Sequence, residues 1–285
     1  MPHPVPPHET RTIEQLREQL AVERDLARRL REAPDTRGLY SAVYDEFLRR
    51  VPHHPSLALK ENPEAQAELI GLQVRLLEPF LSSRTRFLEV GGGDCALALE
   101  LSRRVAQVTA IEAGKEISTG TSEAPNLTVL LCDSPPYDLP DGIVDLAFSS
   151  HFIEHLRRDD ALLHLREMRR LLSPGGRYVC VTPNRLWGPH DISRYFADFP
   201  EGLHLHEYSH NELLRLFRRA GFRRRRVICR IGASDRRLPH LGYRLLEGLL
   251  TALPQSARRR ALSALSRNRR QPLRLFEQVI VTAVR

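Results

Sequence analysis

The sequence lacks the features that mark several classes of protein. Its 285 residues include only four cysteines, and no two of them form a C-x-x-C pair. A disulfide framework or a zinc knuckle is therefore not expected. No apolar run approaches the roughly 18 residues that a transmembrane helix needs. The stretch from Met1 to Glu9 has no apolar segment, so we expect no secretory signal and a cytoplasmic protein.

Lysine is nearly absent, and the positive charge lies mainly in the C-terminal third. Of the 43 basic residues only Lys60 and Lys115 are lysines, and the net charge is +8. From residue 215 onward, 19 arginines stand against three acidic residues. Such a region could contact nucleic acid, anionic lipid or a phosphorylated substrate, or simply be a solvated surface. We find no RNA-binding module, so nucleic acid is the least favoured partner.

The apolar pattern predicts helices first and alternating strands and helices afterwards. Helical periodicity covers residues 12–32, 39–50 and 63–80. Seven strands are expected at 86–90, 107–112, 127–132, 143–148, 177–182, 227–231 and 276–284. This alternation predicts a Rossmann-like α/β fold with a seven-stranded, mostly parallel sheet and helices on both faces. We expect a helical cap at 1–80 and a domain at 81–285. A helical insertion at 232–272, with helices at 241–250 and 256–266, is expected before the last strand.

A glycine loop follows the first predicted strand, in the segment Glu89–Ala96. Glycines allow a sharp turn from strand to helix and leave room for a ligand against the main chain. The spacing Gly91-x-Gly93-x-x-Ala96 also matches the dinucleotide fingerprint. Glu112 ends the next strand, where a carboxylate can accept two ribose hydroxyls. These features suit either NAD or S-adenosylmethionine.

Further acidic residues favour S-adenosylmethionine over NAD. Glu89 lies inside the first strand, where a buried carboxylate needs a partner and would repel a pyrophosphate. Asp133 and Ser134 follow the third strand, where they could bind an adenine amino group. Asp145 begins the fourth strand, which we expect to complete a series of acids at successive strand ends.

At this point the chain resembles the class I S-adenosylmethionine-dependent methyltransferases. The matching stretches are FLEVGGGDCALAL (87–99), VTAIEA (108–113), LLCDSP (130–135), VDLAFSSHFIEHL (144–156) and LLSPGGRYVCVTPN (171–184). Cys95 replaces the third glycine of many members. The resemblance implies S-adenosylmethionine as cofactor. It implies that the methionine end is bound by the glycine loop, the ribose by Glu112 and the adenine by Asp133 and Ser134. The full set of expected cofactor residues is Glu89, Gly91, Gly92, Gly93, Glu112, Ala113, Asp133, Ser134, Ser149 and Ser150.

We expect the enzyme to methylate a hydroxyl of a small molecule, such as a sugar, a glycoside or another secondary metabolite. Methyl transfer to a hydroxyl needs a base whose pKa lies near the working pH, and histidine is the natural one. Residues 187–208 hold five of the 18 aromatic residues and resemble a substrate wall. The candidate catalytic residues are His151, His155, His190, Asp191 and His206.

Several alternatives stay open from the sequence. His204 and His206 with Asp191 could bind a metal, but Mg²⁺ prefers oxygen ligands, so no metal is expected. The leucines and arginines of the insertion could contact a membrane and a lipid-linked substrate. A homodimer is compatible with the helix at 12–32. An NAD-dependent oxidoreductase and a cofactor-binding protein without catalysis are the alternatives from other classes.

Overall fold

A twisted β-sheet forms the centre of the molecule. The computed structural model describes residues 9–55, 57, 62–114, 124–231, 234–236, 240–254, 257–258, 260–262 and 278–285. The strands are β1 (Arg86–Val90), β2 (Gln107–Glu112), β3 (Leu127–Leu131), β4 (Val144–Ser150), β5 (Leu172–Pro183), β6 (Arg224–Ile231), β7 (Ser234–Arg236) and β8 (Gln278–Val284). Their order in the sheet is β3-β2-β1-β4-β5-β8-β6-β7.

The sheet is mostly parallel, and β8 is the exception in its interior. Strands β3, β2, β1, β4 and β5 pair in parallel, whereas β8 pairs antiparallel with both β5 and β6. The predicted fold class and its seven strands are confirmed. The sequence did not indicate β7, a three-residue strand that pairs with the outer edge of β6.

Helices cover both faces of the sheet. They are α1 (Ile13–Glu32), α2 (Leu39–Arg50), α3 (Pro63–Leu77), α4 (Ala96–Ser102), α5 (Arg158–Leu171), α6 (His210–Arg219) and α7 (His240–Ala252). None of these described helices combines the length and the apolar character that crossing a bilayer requires. In the expected insertion, α7 confirms the first predicted helix. Most of the second, at 256–266, lies outside the described residues, as do residues 276–277 of the last predicted strand.

Alternating side chains of β1 build two separate cores. Phe87 packs with Leu97 and Leu101 of α4 on one face. Leu88 packs on the other face, in the core that includes Leu26 of α1. Successive residues of a strand point to opposite faces, so a strand buried on both sides is apolar throughout. Glu89 is the polar interruption in this strand, and its place on the α4 side determines its role in the site.

Asp145 lies at the edge of the sheet opposite to the glycine loop. It is the second residue of β4, and it accepts hydrogen bonds from the Arg86 backbone N–H (3.0 Å), the Arg86 guanidinium (2.7 Å) and the Ser173 hydroxyl (2.9 Å). The expectation that Asp145 joins the acids at the carboxyl ends of the strands is wrong. The other acidic residues lie at the carboxyl ends of their strands, and a residue at the amino end lies a full strand length away from them.

A buried polar network links α5 to the sheet. His164 Nε2 lies 2.9 Å from the Tyr178 hydroxyl, and His164 Nδ1 lies 3.1 Å from the Tyr137 hydroxyl. The Tyr178 hydroxyl also lies 2.6 Å from Ser149 Oγ. Burial lowers the pKa of His164 to about 3. The folded protein therefore keeps this imidazole neutral.

We expect His164→Gln to flatten the acid side of the stability profile. Between about pH 6.5 and pH 3 the unfolded histidine binds a proton that the folded one does not. The free energy of unfolding therefore falls as the pH falls through this window. Glutamine does not titrate, so the variant loses less stability between pH 7 and pH 4.5. At pH 7 it is less stable by about 1–3 kcal/mol, because the buried hydroxyls lose good partners.

Thermal unfolding at the two pH values measures this difference. His53→Gln is the control, since His53 is only partly buried and its side chain makes one 3.3 Å contact, to the Gln15 carbonyl oxygen. Equal losses of melting temperature in the wild type and in the His164 variant would contradict the assignment.

Candidate active site

A cavity of about 480 Å³ lies where the carboxyl ends of the strands meet the N-terminal helices. Strand ends, α1, α2 and the segment 190–204 all contribute to its wall. Among the expected site residues, those that line it are Gly91, Gly93, Glu112, Ala113, Asp133, His151, His155, His190 and Asp191. Five cofactor candidates and one catalytic candidate do not line it: Glu89, Gly92, Ser134, Ser149, Ser150 and His206.

The glycine loop brings bare main chain to this cavity. Gly91 (φ 67°) and Gly93 (φ 74°) adopt left-handed conformations that side chains disfavour. A Cβ atom on Gly91 would lie 3.0 Å from Cγ of Phe152 and closer still to its Cδ2. The Gly91 N–H is bonded to the Ile111 carbonyl (2.9 Å), which fixes the loop onto β2. The loop is therefore a cradle that a single methyl group would fill.

Two buried carboxylates flank the loop on different sides. Glu112 Oε2 accepts a hydrogen bond from the Gly93 N–H (3.1 Å) and lines the cavity. Glu89 Oε2 accepts from the Ala98 N–H (3.0 Å) behind the loop, where a Cβ on Gly92 would lie 2.6 Å from its Oε1. Burial raises the pKa of each acid to about 8. Of the two, only Glu112 is placed to touch a ligand directly.

Asp133 connects the cavity to the start of α2. Its carboxylate accepts hydrogen bonds from the backbone N–H groups of Gly38 and Ser41, both at 3.1 Å. The Ser41 hydroxyl in turn donates to the carbonyl of Ala113. The Ser134 hydroxyl donates to Asp133 (3.1 Å) and lines a neighbouring cavity of about 310 Å³. The N-terminal helices are thus held directly onto two expected cofactor residues.

The two serines that end β4 do not face the cavity. Ser149 is fully buried and belongs to the polar network of Tyr178 and His164. Ser150 is partly exposed but does not line the cavity either. The cavity-lining residue of this segment is the next one, His151.

His151 stands at the end of β4 in a strained backbone conformation. Its φ is 53°, in the left-handed region, and its side chain is about half exposed. Nδ1 lies 3.4 Å from Oε1 of the buried Glu154, and Nε2 lies 3.2 Å from the Gln278 side-chain amide nitrogen. An amide nitrogen only donates, so Nε2 is the acceptor and Nδ1 carries the hydrogen.

His155 and His204 form part of the inner wall of the cavity, and Glu154 is buried behind them. Burial opposes ionisation of Glu154, but His151 and the charges of His155 and His204 lower its pKa to about 2. His155 Nδ1 lies 3.0 Å from the Leu203 carbonyl oxygen, and burial lowers its pKa to about 4. His204 Nδ1 lies 2.8 Å from Glu207 Oε1. Burial would lower the pKa of His204, but this bond and the neighbouring carboxylates raise it to about 9.

The remaining catalytic candidates have structural partners. His190 Nε2 donates to the Asn184 carbonyl (2.8 Å). Asp191 accepts from the Ser193 N–H (3.0 Å) and the Gly202 N–H (2.9 Å), so it orders this loop. The chain bends at Leu205, and His206 packs its ring against Tyr208 outside the cavity. His206 therefore does not join His204 and Asp191 as the sequence suggested.

Residues 62–227 match the profile of a family described as a methyltransferase domain. The chain belongs to this family. The predicted enzyme class, a methyltransferase, is confirmed, and the oxidoreductase alternative is set aside. No curated protein matches the sequence significantly.

Solved methyltransferases share the fold. A putative methyltransferase from Haloferax volcanii, solved with the Trm112 methyltransferase activator, is 15% identical. The match covers 80% of this chain and 96% of that one, with a TM-score of 0.53. A SAM-dependent methyltransferase from Archaeoglobus fulgidus is 17% identical over 76% of this chain and 94% of that one, with a TM-score of 0.51.

The methyltransferase cavity also contains residues that sequence reasoning missed. Those from α1 and α2 include Gln19, Glu23, Tyr40, Tyr44 and Phe47. Burial raises the pKa of Glu23 to about 7, and its carboxylate accepts from the Gln19 amide (2.7 Å) and the Leu203 N–H (3.1 Å). A signal existed in the sequence, since Gln19 and Glu23 lie within the otherwise apolar stripe of α1.

Proposed function

We propose that this methyltransferase acts on a hydroxyl oxygen of a small molecule. The cavity supports this best, because α1 and α2 cover it and its volume of about 480 Å³ is of the size that small molecules occupy. Contacts from Asp133 to the start of α2 hold this cover in place.

The glycine loop and Glu112 are the residues that fit the cofactor. S-adenosylmethionine supplies an activated methyl group on a sulfonium, so its departing thioether needs no acid. Gly91 and Gly93 offer unobstructed backbone, and the Glu112 carboxylate at the cavity wall can accept hydrogen bonds from ribose hydroxyls. Glu89 does not line the cavity, and it supports the glycine loop by packing against Gly92 and accepting from the Ala98 N–H.

His151 is the proposed general base. Its Nδ1–H faces Glu154, and its Nε2 lone pair is available once an acceptor hydroxyl replaces the Gln278 amide. His151 would then take the hydroxyl proton as the oxygen–methyl bond forms. A buried carboxylate opposite Nδ1 fixes the tautomer and orientation that this transfer requires.

A lipid-linked acceptor is the second candidate. In α7, Glu247 is buried and accepts from the N–H groups of His210 and Asn211, so one face docks onto α6. The opposite face exposes leucines, including Leu245 (61% exposed) and Leu249 (69% exposed). An apolar helix face beside arginines is typical of a membrane-surface contact.

The test measures methyl transfer to a panel of hydroxylated small molecules and to a lipid-linked hydroxyl in vesicles. We expect His151→Gln to lower turnover of a small acceptor by roughly 10²–10⁴-fold, because general-base catalysis contributes that much. The variant should keep the thermal shift that S-adenosylhomocysteine produces.

His206→Gln is the matched control, because His206 lies near Glu154 but outside the cavity. Full activity in the His151 variant would overturn the base assignment. Turnover of the vesicle-borne acceptor alone would replace the first candidate by the second. No turnover of any acceptor, with S-adenosylhomocysteine bound, would favour a non-catalytic binding protein.

A further inference from the structure

Three potential metal ligands converge on the inner wall of the cavity. Glu154 and His155 come from the 3-10 turn Ile153–His155 after β4, and His204 comes from the segment before α6. One ligand atom of each residue lies within 4.8 Å of the others. Both histidines line the cavity, whereas Glu154 is fully buried behind them.

The two imidazoles are oriented as metal ligands are. His155 Nδ1 lies 3.0 Å from the Leu203 carbonyl oxygen, which only accepts, so Nδ1 carries the hydrogen. His204 Nδ1 lies 2.8 Å from Glu207 Oε1 and is fixed in the same way. Histidines that bind metals usually donate their other ring N–H to a carbonyl or carboxylate. In His155 this leaves the Nε2 lone pair available, and in His204, whose pKa is about 9, the ion would take the place of the Nε2 proton.

Glu154 supplies an independent observation. Its Oε2 accepts from the Thr182 hydroxyl at 2.8 Å, but its Oε1 is buried and makes no hydrogen bond. The nearest titratable nitrogen is His151 Nδ1, at 3.4 Å. A buried carboxylate oxygen whose nearest polar neighbour is such a long contact is poorly satisfied, and such atoms are rare in folded proteins. The Tyr44 hydroxyl, whose ring stands edge-on to that of His155, is likewise buried without a hydrogen bond.

The surroundings favour a cation. The carboxylates of Glu207 and Asp191 raise the pKa of His204. The Glu23 carboxylate accepts a hydrogen bond from the N–H of Leu203, the residue before His204. Two imidazoles and one carboxylate are the ligand set of first-row transition ions such as Zn²⁺, Co²⁺ or Fe²⁺. Mg²⁺ takes oxygen ligands and fits this set poorly.

We propose that Glu154 Oε1, His155 Nε2 and His204 Nε2 bind a divalent transition-metal ion. The set differs from the His204, His206 and Asp191 combination that the sequence offered, and it replaces the expectation of no metal. The open positions of the ion would face the cavity and take oxygen donors, such as the hydroxyl to be methylated. That last step rests on the proposed function, whereas binding of the ion does not.

The test uses the purified full-length chain, stripped with a chelator and titrated with Co²⁺, Zn²⁺ and Mg²⁺. We expect one transition ion per chain, a visible ligand-field spectrum with Co²⁺, and affinities for Co²⁺ and Zn²⁺ roughly 100-fold or more above that for Mg²⁺. His155→Ala and His204→Ala should abolish the Co²⁺ spectrum. Glu207→Gln, which keeps all three ligands but removes the negative charge next to His204 Nδ1, should weaken binding roughly 10- to 100-fold.

His206→Ala is the matched control and should bind Co²⁺ as the wild type does. If the ligand variants fail to fold, X-ray absorption of the Zn²⁺-loaded wild type decides the matter, since it counts the imidazole ligands. Absence of stoichiometric binding to the wild type, a spectrum that survives in both ligand variants, or a site without two imidazoles would overturn the proposal. Metal binding without hydroxyl methylation would overturn only the proposed function, and methylation by the metal-free chain would overturn only the role of the ion.

Discussion

Gly91→Ala is expected to lower the melting temperature by several degrees and to abolish the stabilisation by S-adenosylhomocysteine. The residue combines a left-handed φ of 67° with a Cβ position that overlaps the Phe152 ring. Backbone strain and overpacking cost about 1–3 kcal/mol each. Relief requires movement of the loop, which changes the surface presented to the cofactor. Thermal unfolding with and without S-adenosylhomocysteine measures both effects.

Gly71→Ala is the matched control for this substitution. Gly71 lies within α3, and its added Cβ would only touch the flexible Arg75 side chain at 3.5 Å. We expect this variant to equal or exceed the wild type, because alanine favours helix by about 0.5–1 kcal/mol. The double variant Gly91→Ala with Phe152→Ala separates the two causes, since it removes the overlap and keeps the strained φ. If Gly91→Ala alone melted at the temperature of the wild type, the claim that the loop has no room for a side chain at this position would be wrong.

Glu112→Ala should weaken S-adenosylhomocysteine binding by roughly 10²–10³-fold. Leaving a buried hydrogen-bonding group without its partner costs about 1–3 kcal/mol, and the carboxyl group of Glu112 can bond two hydroxyls of a ribose. The unliganded variant should stay folded, since burial raises the pKa of Glu112 to about 8 and its charge does not stabilise the empty fold. Isothermal titration gives the affinity.

Glu100→Ala provides the comparison for Glu112→Ala. Glu100 lies on the outer side of α4, where it pairs with Arg103 and Arg104 in exposed contacts. Its removal should leave the affinity unchanged. An unaltered affinity in Glu112→Ala would mean that Glu112 does not bind the ribose, and the role that the family resemblance implies for this residue would be wrong.

The sequence predicted the positions of those candidate site residues that are local in the chain. The glycine loop, Glu112 at the end of β2 and His151 after β4 follow directly from strands that end at one edge of a parallel sheet. Helix α2 also has the bounds that its apolar periodicity indicates, Leu39–Arg50. For these residues and this helix, the local sequence pattern is enough to predict the position in the fold.

Contacts between distant segments could not be read in this way. His204 lies close to Glu154 and His155 because residues 190–204 form part of the cavity wall, and the spacing of these residues in the sequence does not predict the contact. Whether an acidic residue reaches the cavity depends on which end of its strand it occupies. Asp145 lies at the amino end of β4, away from the cavity, and is bonded to Arg86. His204 lines the cavity and His206, two residues later, does not, which the sequence spacing does not distinguish.

The position of β8 has a consequence for how the chain folds. This strand lies between β5 and β6 and pairs residues as far apart in sequence as Arg177 and Val284. Closing so long a loop costs chain entropy before any ladder hydrogen bond compensates for it, and high contact order slows folding. Until β8 arrives, β5 and β6 each present an open edge, which is a template for mispairing. The molecule therefore folds slowly for its size, and the period before β8 docks is when it is most prone to aggregate.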